Sequence, residues 1–124
     1  MRVVLPWSML AQSNHRLIRA KGRNRLILAP AYRQAKEAAE WHARAQVKVQ
    51  PMTGPVRMSI AFYEPDKRRR DPSNLVKLCE DALTGIAYDD DSQIHEMEWK
   101  RAGVDRMVPR AEITIEPIAE SEAA

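Results

Sequence analysis

The chain has 124 residues, with 20 Lys or Arg against 17 Asp or Glu and a hydrophobic share of 44%. That is enough for one domain with its own core and too little for two. No apolar run approaches the ~20 residues of a membrane span, and Pro6 breaks the short apolar patch in residues 1–12, which makes a poor signal peptide. The single Cys79 excludes an internal disulfide and fits a reducing cytoplasm. The net charge of +3 hides an asymmetry: residues 1–50 hold ten basic and two acidic residues, whereas residues 51–124 hold ten basic and fifteen acidic ones. A basic half joined to an acidic half suits an anionic polymer partner and a metal site; two solvated faces are the plainer reading.

In chain order, residues 3–5 form a short strand stopped by Pro6. Residues 7–25 carry Ser13, Asn14, His15, Arg16, Arg19, Lys21, Arg23 and Arg25 without a hydrophobic period, and are expected to form a long basic loop. Loops of that length in a compact domain usually bind something. His15 has no second His at metal spacing and is expected to be a polar loop contact. Residues 26–28 add a short extended piece. Pro30 suits the first turn of a helix, and residues 31–46 continue it with Tyr32, Ala35, Ala38, Ala39, His42 and Ala45 near one face. Trp41 and His42 read as packing residues.

Residues 47–55 are a connector with a turn signal at Met52-Thr53-Gly54-Pro55. Residues 56–63 alternate, placing Val56, Met58, Ile60 and Phe62 on one side, which predicts a half-buried strand. Residues 93–101 alternate too, with His95, Met97 and Trp99 opposite Ile94, Glu96 and Glu98. A loop over 103–109, a last strand over 111–116 and a polar tail over 117–124, expected to fray, complete the chain. The expected fold is α/β (α+β): a small mixed β-sheet with two helices packed on it, a single domain over 1–118 with a tail at 119–124.

The chain is organised around residues 65–93, PDKRRRDPSNLVKLCEDALTGIAYDDDSQ. Lys67, Arg68, Arg69 and Arg70 lead directly to Asp71. Asp71 followed by Pro72 signals a helix start, since Asp caps and Pro suits the first helical position. Leu75, Leu78, Cys79, Ala82, Leu83 and Ile86 fall at helical spacing and predict a buried stripe over 72–85, with Gly85 as terminator. Cys79 is therefore a core residue. Asp71, Ser73, Asn74 and Lys77 stand at the helix start, where unpaired amides and the dipole favour anions such as phosphate. Asp89, Asp90 and Asp91 sit on the loop into the next strand. If that strand lies beside the one ending at Tyr63, Asp91 and Asp71 come close together.

Cations beside clustered carboxylates suit a protein that holds phosphates and a divalent metal at once. Each feature also has a plainer reading: Asp71 as a cap, Lys77 as an i,i+4 partner of Asp81, the three Asp as a solvated turn, the four cations as a solvated patch. Their combination on one short scaffold favours function.

Residues 66–94, DKRRRDPSNLVKLCEDALTGIAYDDDSQI, resemble the signature of the RusA family of Holliday-junction endonucleases. That signature is a basic run, Asp-x-Asp-Asn-Leu, a Lys three residues beyond the Asn, Asp-Ala-Leu, and Asp-Asp-x-Gln. Here it falls on Asp71, Asn74, Leu75, Lys77, Asp81-Ala82-Leu83 and Asp90-Asp91-Ser92-Gln93. Leu5-Pro6-Trp7 and Ser13-Asn14-x-Arg16 resemble the family's N-terminal segment.

The resemblance implies a small homodimeric nuclease, dependent on Mg²⁺ with Mn²⁺ as a substitute, that nicks four-way DNA junctions in paired, symmetric fashion. It also implies a bacterial cytoplasmic protein, often encoded by a phage or prophage. Asp71, Lys77 and Asp91 take the catalytic roles, with Asp71, Asp91 and Asp90 as metal ligands and Lys77 at the scissile phosphate. The DNA contacts are Asn14, Arg16, Arg19, Lys21, Arg23, Arg25, Lys67, Arg68, Arg69, Arg70 and Asn74.

One position departs from the pattern: the second acid of Asp-x-Asp-Asn is Ser73. A hydroxyl is a weaker, uncharged ligand, and Asp81, Asp89 and Asp90 are the candidates to compensate. Three readings follow: a working structure-selective nuclease, a junction-binding protein that has lost cleavage, and an unrelated basic binding module. The chain carries no heptads or other overt dimer signal, so the dimer rests on the resemblance.

Overall fold

The computed structural model describes residues 1–12, 16–20, 22 and 25–119. The expectations placed on Ser13, Asn14, His15, Lys21, Arg23 and the tail beyond residue 119 lie outside the described residues.

The elements run β1 (Arg2–Pro6), β2 (Leu17–Arg19), β3 (Leu26–Leu28), α1 (Pro30–Gln46), β4 (Val56–Glu64), α2 (Val76–Leu83), β5 (Ile94–Val104) and β6 (Arg110–Pro117). Single 3-10 turns lie at Trp7–Met9, Pro72–Leu75 and Asp91–Gln93. The main sheet has the order β1-β6-β4-β5. β6 is antiparallel to both of its neighbours, whereas β4 and β5 are parallel. A parallel pair needs a crossover, and α2 supplies it. The fold is the mixed sheet with two packed helices that the sequence predicts.

Alternation in β4 becomes the core. Val56, Met58, Ile60, Phe62 and Glu64 are buried while Arg57, Ser59, Ala61 and Tyr63 lie half-buried on the other face. Val3 and Leu5 of β1 and Ala111, Ile113 and Ile115 of β6 complete that layer. The helical stripe predicted for the central segment is buried at every position: Leu75, Leu78, Cys79, Ala82, Leu83 and Ile86. Gly85, at φ +84, ends it in the left-handed region that glycine enters at least cost. Each such aliphatic burial stabilises by about 1.5–3 kcal/mol. No helix among the described residues is long and apolar enough to cross a membrane.

Four expectations are corrected. Residues 7–25 are not one loop: β2 pairs with β3 as a two-stranded antiparallel hairpin, Leu17 opposite Leu28 and Ile18 opposite Ile27. Its Leu17, Ile18, Leu26 and Ile27 are exposed, so the two apolar residues between Arg16 and Arg19 became a strand without a core to face. Trp41 does not pack within the chain; it is 75% exposed. The buried stripe of α1 is Tyr32, Ala39 and Ala43, and Ala45 points outward. Finally, β5 forms as the edge strand, but a register shift at its start sets Ile94 against Val56 and Met97 against Met58, so Ile94 shares the core-facing side with Met97 and Trp99 instead of opposing them.

Candidate active site

Pro72 and its neighbours fold as a 3-10 turn, and the α-helix proper begins at Val76. Asp71 caps that turn in extended backbone, so it precedes α2 rather than capping it. Its Oδ1 accepts hydrogen bonds from the Ser73 amide at 3.1 Å and the Ser73 hydroxyl at 2.6 Å. Ser73, the departure from the family pattern, is thus a donor to Asp71. Asn74 donates its amide to the Asp71 carbonyl at 3.2 Å and is half-buried.

The basic run is organised by an acid that the sequence reading passed over. Asp66 accepts from the Arg68 amide at 2.9 Å and pairs with Arg70 Nη1 at 2.8 Å. The Arg70 hydrogen bond, followed by the Arg68 amide, pulls the Asp66 carboxyl down to about 2. Arg70 also lies over the Trp7 ring, 5.7 Å from its centroid, a cation–π distance. Lys67, Arg68 and Arg69 stay exposed. Asp66 and Arg70 stand at i,i+4, a spacing that was legible in the sequence.

Arg69, Arg70, Asp71 and Pro72 form one wall of a cleft of about 590 Å³, and Trp99 and Arg101 of β5 form the other. Residue spacing alone does not reveal this opposition. Only the parallel β4–β5 ladder, which sets Trp99 against Ile60 and Arg101 against Phe62, brings those residues to Asp71.

Lys77 lies two turns further on. Its Nζ is 3.1 Å from Asp81 Oδ1 and 3.3 Å from Asp91 Oδ2, so the expected Asp81 pair forms and Asp91 adds a second carboxylate that the residue pattern did not place there. Burial alone lowers the ammonium pKa, but hydrogen bonds and charge from Asp81 and then Asp91 raise it on balance. Lys77 stays protonated at neutral pH. Asp81 is held from the other side by the Tyr32 hydroxyl of α1 at 2.7 Å. Desolvation raises Glu80 above the usual carboxylate range, and the charges of Asp91 and Asp81 add to that rise against Lys77.

The loop before β5 is built around Gln93. Its Oε1 accepts from the Asp89 and Asp90 amides, at 2.8 and 3.0 Å, while its Nε2 donates to the Met52 and Gly54 carbonyls. The Gln of Asp-Asp-x-Gln is therefore a brace that fixes where Asp91 stands. Asp90 caps the Asp91–Gln93 turn through the Ser92 amide and hydroxyl, which lower its pKa. Strand adjacency does not by itself join Asp71 to Asp91. The ladder starts at Val56 opposite Ile94, so Asp91 stands where β4 begins and Asp71 follows the end of β4. The link is α2, whose Lys77 reaches Asp91.

On the hairpin, Arg19 and Arg25 are exposed and Arg16 is half-buried, where its charge reaches Tyr32. Cys79 is fully buried, and desolvation pushes its thiol up to about 12, which removes it from nucleophilic chemistry.

The site's donors are carboxylate and hydroxyl oxygens, the ligand type of hard divalent cations. Among the described residues no group of three or more His, Cys, Asp or Glu is placed to hold a metal. No curated protein matches the chain. Residues 6–116 match the family Endodeoxyribonuclease RusA, a span that holds the hairpin, both helices and every acid and cation described above, and the chain belongs to that family.

Proposed function

We propose that this protein is a structure-selective endonuclease that resolves four-way DNA junctions by metal-dependent phosphodiester hydrolysis, as a homodimer giving paired symmetric nicks. The observation that carries the reading is Lys77 bracketed by Asp81 and Asp91 on the crossover that also sets Asp71 beside Arg69 and Arg70. Asp71 and Asp91 are the proposed Mg²⁺ ligands, and Asp90 is the nearest further carboxylate in sequence, already serving as a cap. When bound, the metal activates water and offsets charge on the phosphate oxygens.

The protein's own residues supply the rest. An ammonium has three donors; Asp81 and Asp91 orient Lys77 through two of them, and the third is available to a phosphate oxygen. That places a fixed positive charge where negative charge grows in the transition state. Lys67, Arg68, Arg69 and Arg70, with Arg16, Arg19 and Arg25 of the hairpin, track the DNA backbone; Asn74, Asn14, Lys21 and Arg23 complete the proposed contacts. A second copy is the proposed cover for the exposed Leu17, Ile18, Leu26 and Ile27 of the hairpin, and symmetric nicking needs two related sites.

A second reading is favoured by one contact. The Ser73 hydroxyl on Asp71, at 2.6 Å, replaces a carboxylate with a donor and removes one negative charge from the site. A junction-binding protein with impaired cleavage is the result if that loss is decisive. A plasmid-borne junction incubated with Mg²⁺ or Mn²⁺ separates the readings: linearised product supports the nuclease, and a gel shift in chelator without cutting in either metal supports the binder. Absence of both sinks both.

A further inference from the structure

The cleft beside Asp71 has two features that cleavage chemistry does not use, and both come from β5. Trp99 and Arg101 register opposite core positions of β4, Ile60 and Phe62, so they stand on the helix side of the sheet. Ile60 is 2% exposed and Trp99 is 38% exposed, because the edge strand runs out from under the helices. Phe62 holds the Trp99 ring edge-on, with centroids 6.1 Å apart and planes at 68°. A lone exposed Trp is an ordinary surface feature. Its neighbour is not ordinary.

Glu64 is the one charged residue buried among the described residues, at 3% exposure. Its carboxylate takes Nε and Nη2 of Arg101 at 2.9 and 3.1 Å. Buried ion pairs often contribute no more stability than apolar residues of the same size, so this one is best explained by what it positions. It fixes the Arg101 fork, whose side chain is 47% exposed, on the wall of the cleft, and Nη1 takes no part in the pair. Arg69, Arg70 and Arg101 line a cleft of about 590 Å³ together with Asp71, where Asp66 pairs with Arg70 and Glu64 with Arg101. Trp99 stands two residues before Arg101 on the same strand face, their backbones about 6.6 Å apart at 3.3 Å per residue. A base and its own phosphate are separated by a similar length.

We infer that this cleft is a nucleotide subsite in which Trp99 stacks on an unpaired DNA base and Arg101, positioned by Glu64, binds the adjoining phosphate. A duplex keeps its bases stacked inward, whereas strand exchange leaves bases that can be splayed onto an aromatic side chain. The subsite therefore selects junctions over duplex, and it rests on the junction reading above. Glu64 is a positioning residue, because it acts only through Arg101.

The test is binding in chelator, where nothing is cut, to a four-way junction and to a linear duplex of matching sequence. Trp99→Phe and Trp99→Leu both keep an apolar side chain against Phe62, and only Phe keeps a ring. Trp99→Leu is expected to bind the junction roughly 5- to 100-fold more weakly, the worth of one base stack, with duplex affinity unchanged and Trp99→Phe close to wild type. Iododeoxyuridine at the exchange point is expected to crosslink to Trp99, and the same base within an arm is not. Glu64→Gln removes a negative charge near DNA, so simple electrostatics predicts tighter binding. The inference predicts weaker junction binding, with a salt slope lower by about one unit, as for Arg101→Gln. Equal junction affinity of Trp99→Leu and Trp99→Phe, or tighter binding by Glu64→Gln, overturns the subsite while leaving the nuclease reading intact. A wild-type protein that does not prefer the junction overturns the reading beneath it.

Discussion

The cleft lined by Asp71 and the cluster around Lys77 combine the same kinds of charge in inverse proportion. In the cleft, three arginines and one aspartate form the lining, with Asp66 paired to Arg70 and Glu64 paired to Arg101. Around Lys77, one ammonium is bracketed by Asp81 and Asp91, with Glu80 sensing all three. Both patches hang on the single crossover β4–α2–β5, so short-range structure keeps them in fixed relation. The difference suggests a division of labour: the arginine-rich cleft favours a polyanion, and the acid-rich cluster favours cations and a charge-balanced lysine. Binding and chemistry should then be separable by mutation.

The sharpest break comes from the acids. Asp91→Asn and Asp71→Asn are expected to reduce junction cleavage by more than the roughly 10²–10³-fold that one lost charge-stabilising donor costs. DNA affinity in chelator should stay level or rise, because each change removes a negative charge facing phosphates. Cleavage by either variant at the wild-type rate, in a single-turnover assay, removes it from the site. Next in size is Lys77→Ala, expected to slow the chemical step roughly 10²–10³-fold and to change affinity much less. A loss confined to affinity would move Lys77 into the binding patch.

The basic run should show the opposite behaviour. Ala at Arg68, Arg69 and Arg70 together should weaken junction binding and flatten its salt dependence by about one unit of slope per lost phosphate contact. An unchanged slope would mean that Asp66, which holds Arg68 and Arg70, keeps those cations for the fold alone. Ser73→Asp probes the boundary between the patches. It replaces the donor on Asp71 with a second carboxylate, so the Mg²⁺ concentration for half-maximal cleavage should fall, at the cost of carboxylate repulsion without metal. Unchanged metal dependence points to Asp81 as the acid that already fills this role.

The smallest effect is at Cys79. Its pKa is raised to about 12, so the folded state favours the thiol while the unfolded chain ionises from about 8.5. The associated stability is complete below that value and is lost as pH climbs toward 12. Alkylation of native protein should be slow at pH 9 and fast in denaturant; rapid native labelling would show that the core under α2 opens.

Much of this was legible in the residues. The period-2 pattern of β4 and the helical stripe of α2 each have one buried face, so their burial follows from spacing alone. Trp99 and Arg101 could not be paired with Asp71 from sequence, because 28 residues separate Trp99 from Asp71 and only a parallel ladder joins them. The same ladder explains why alternation misled at β5: a register shift beside His95 moves Ile94 onto the face of Met97, and spacing alone does not reveal it. Leu17 and Ile18 were missed as a strand because two residues between arginines carry too little pattern. In the motif itself, Gln93 has no role that its residue type announces, and the structure makes it the brace that positions Asp91.

The most direct measurement is single-turnover cleavage of a four-way junction, with opposing strands labelled, in Mg²⁺ beside Y-form and linear DNA. The account predicts paired nicks at symmetric positions in the junction, none in the linear duplex, and tight junction binding when chelator stops cutting. Equal cutting of linear DNA, or a junction neither bound in chelator nor cut in metal, would contradict it.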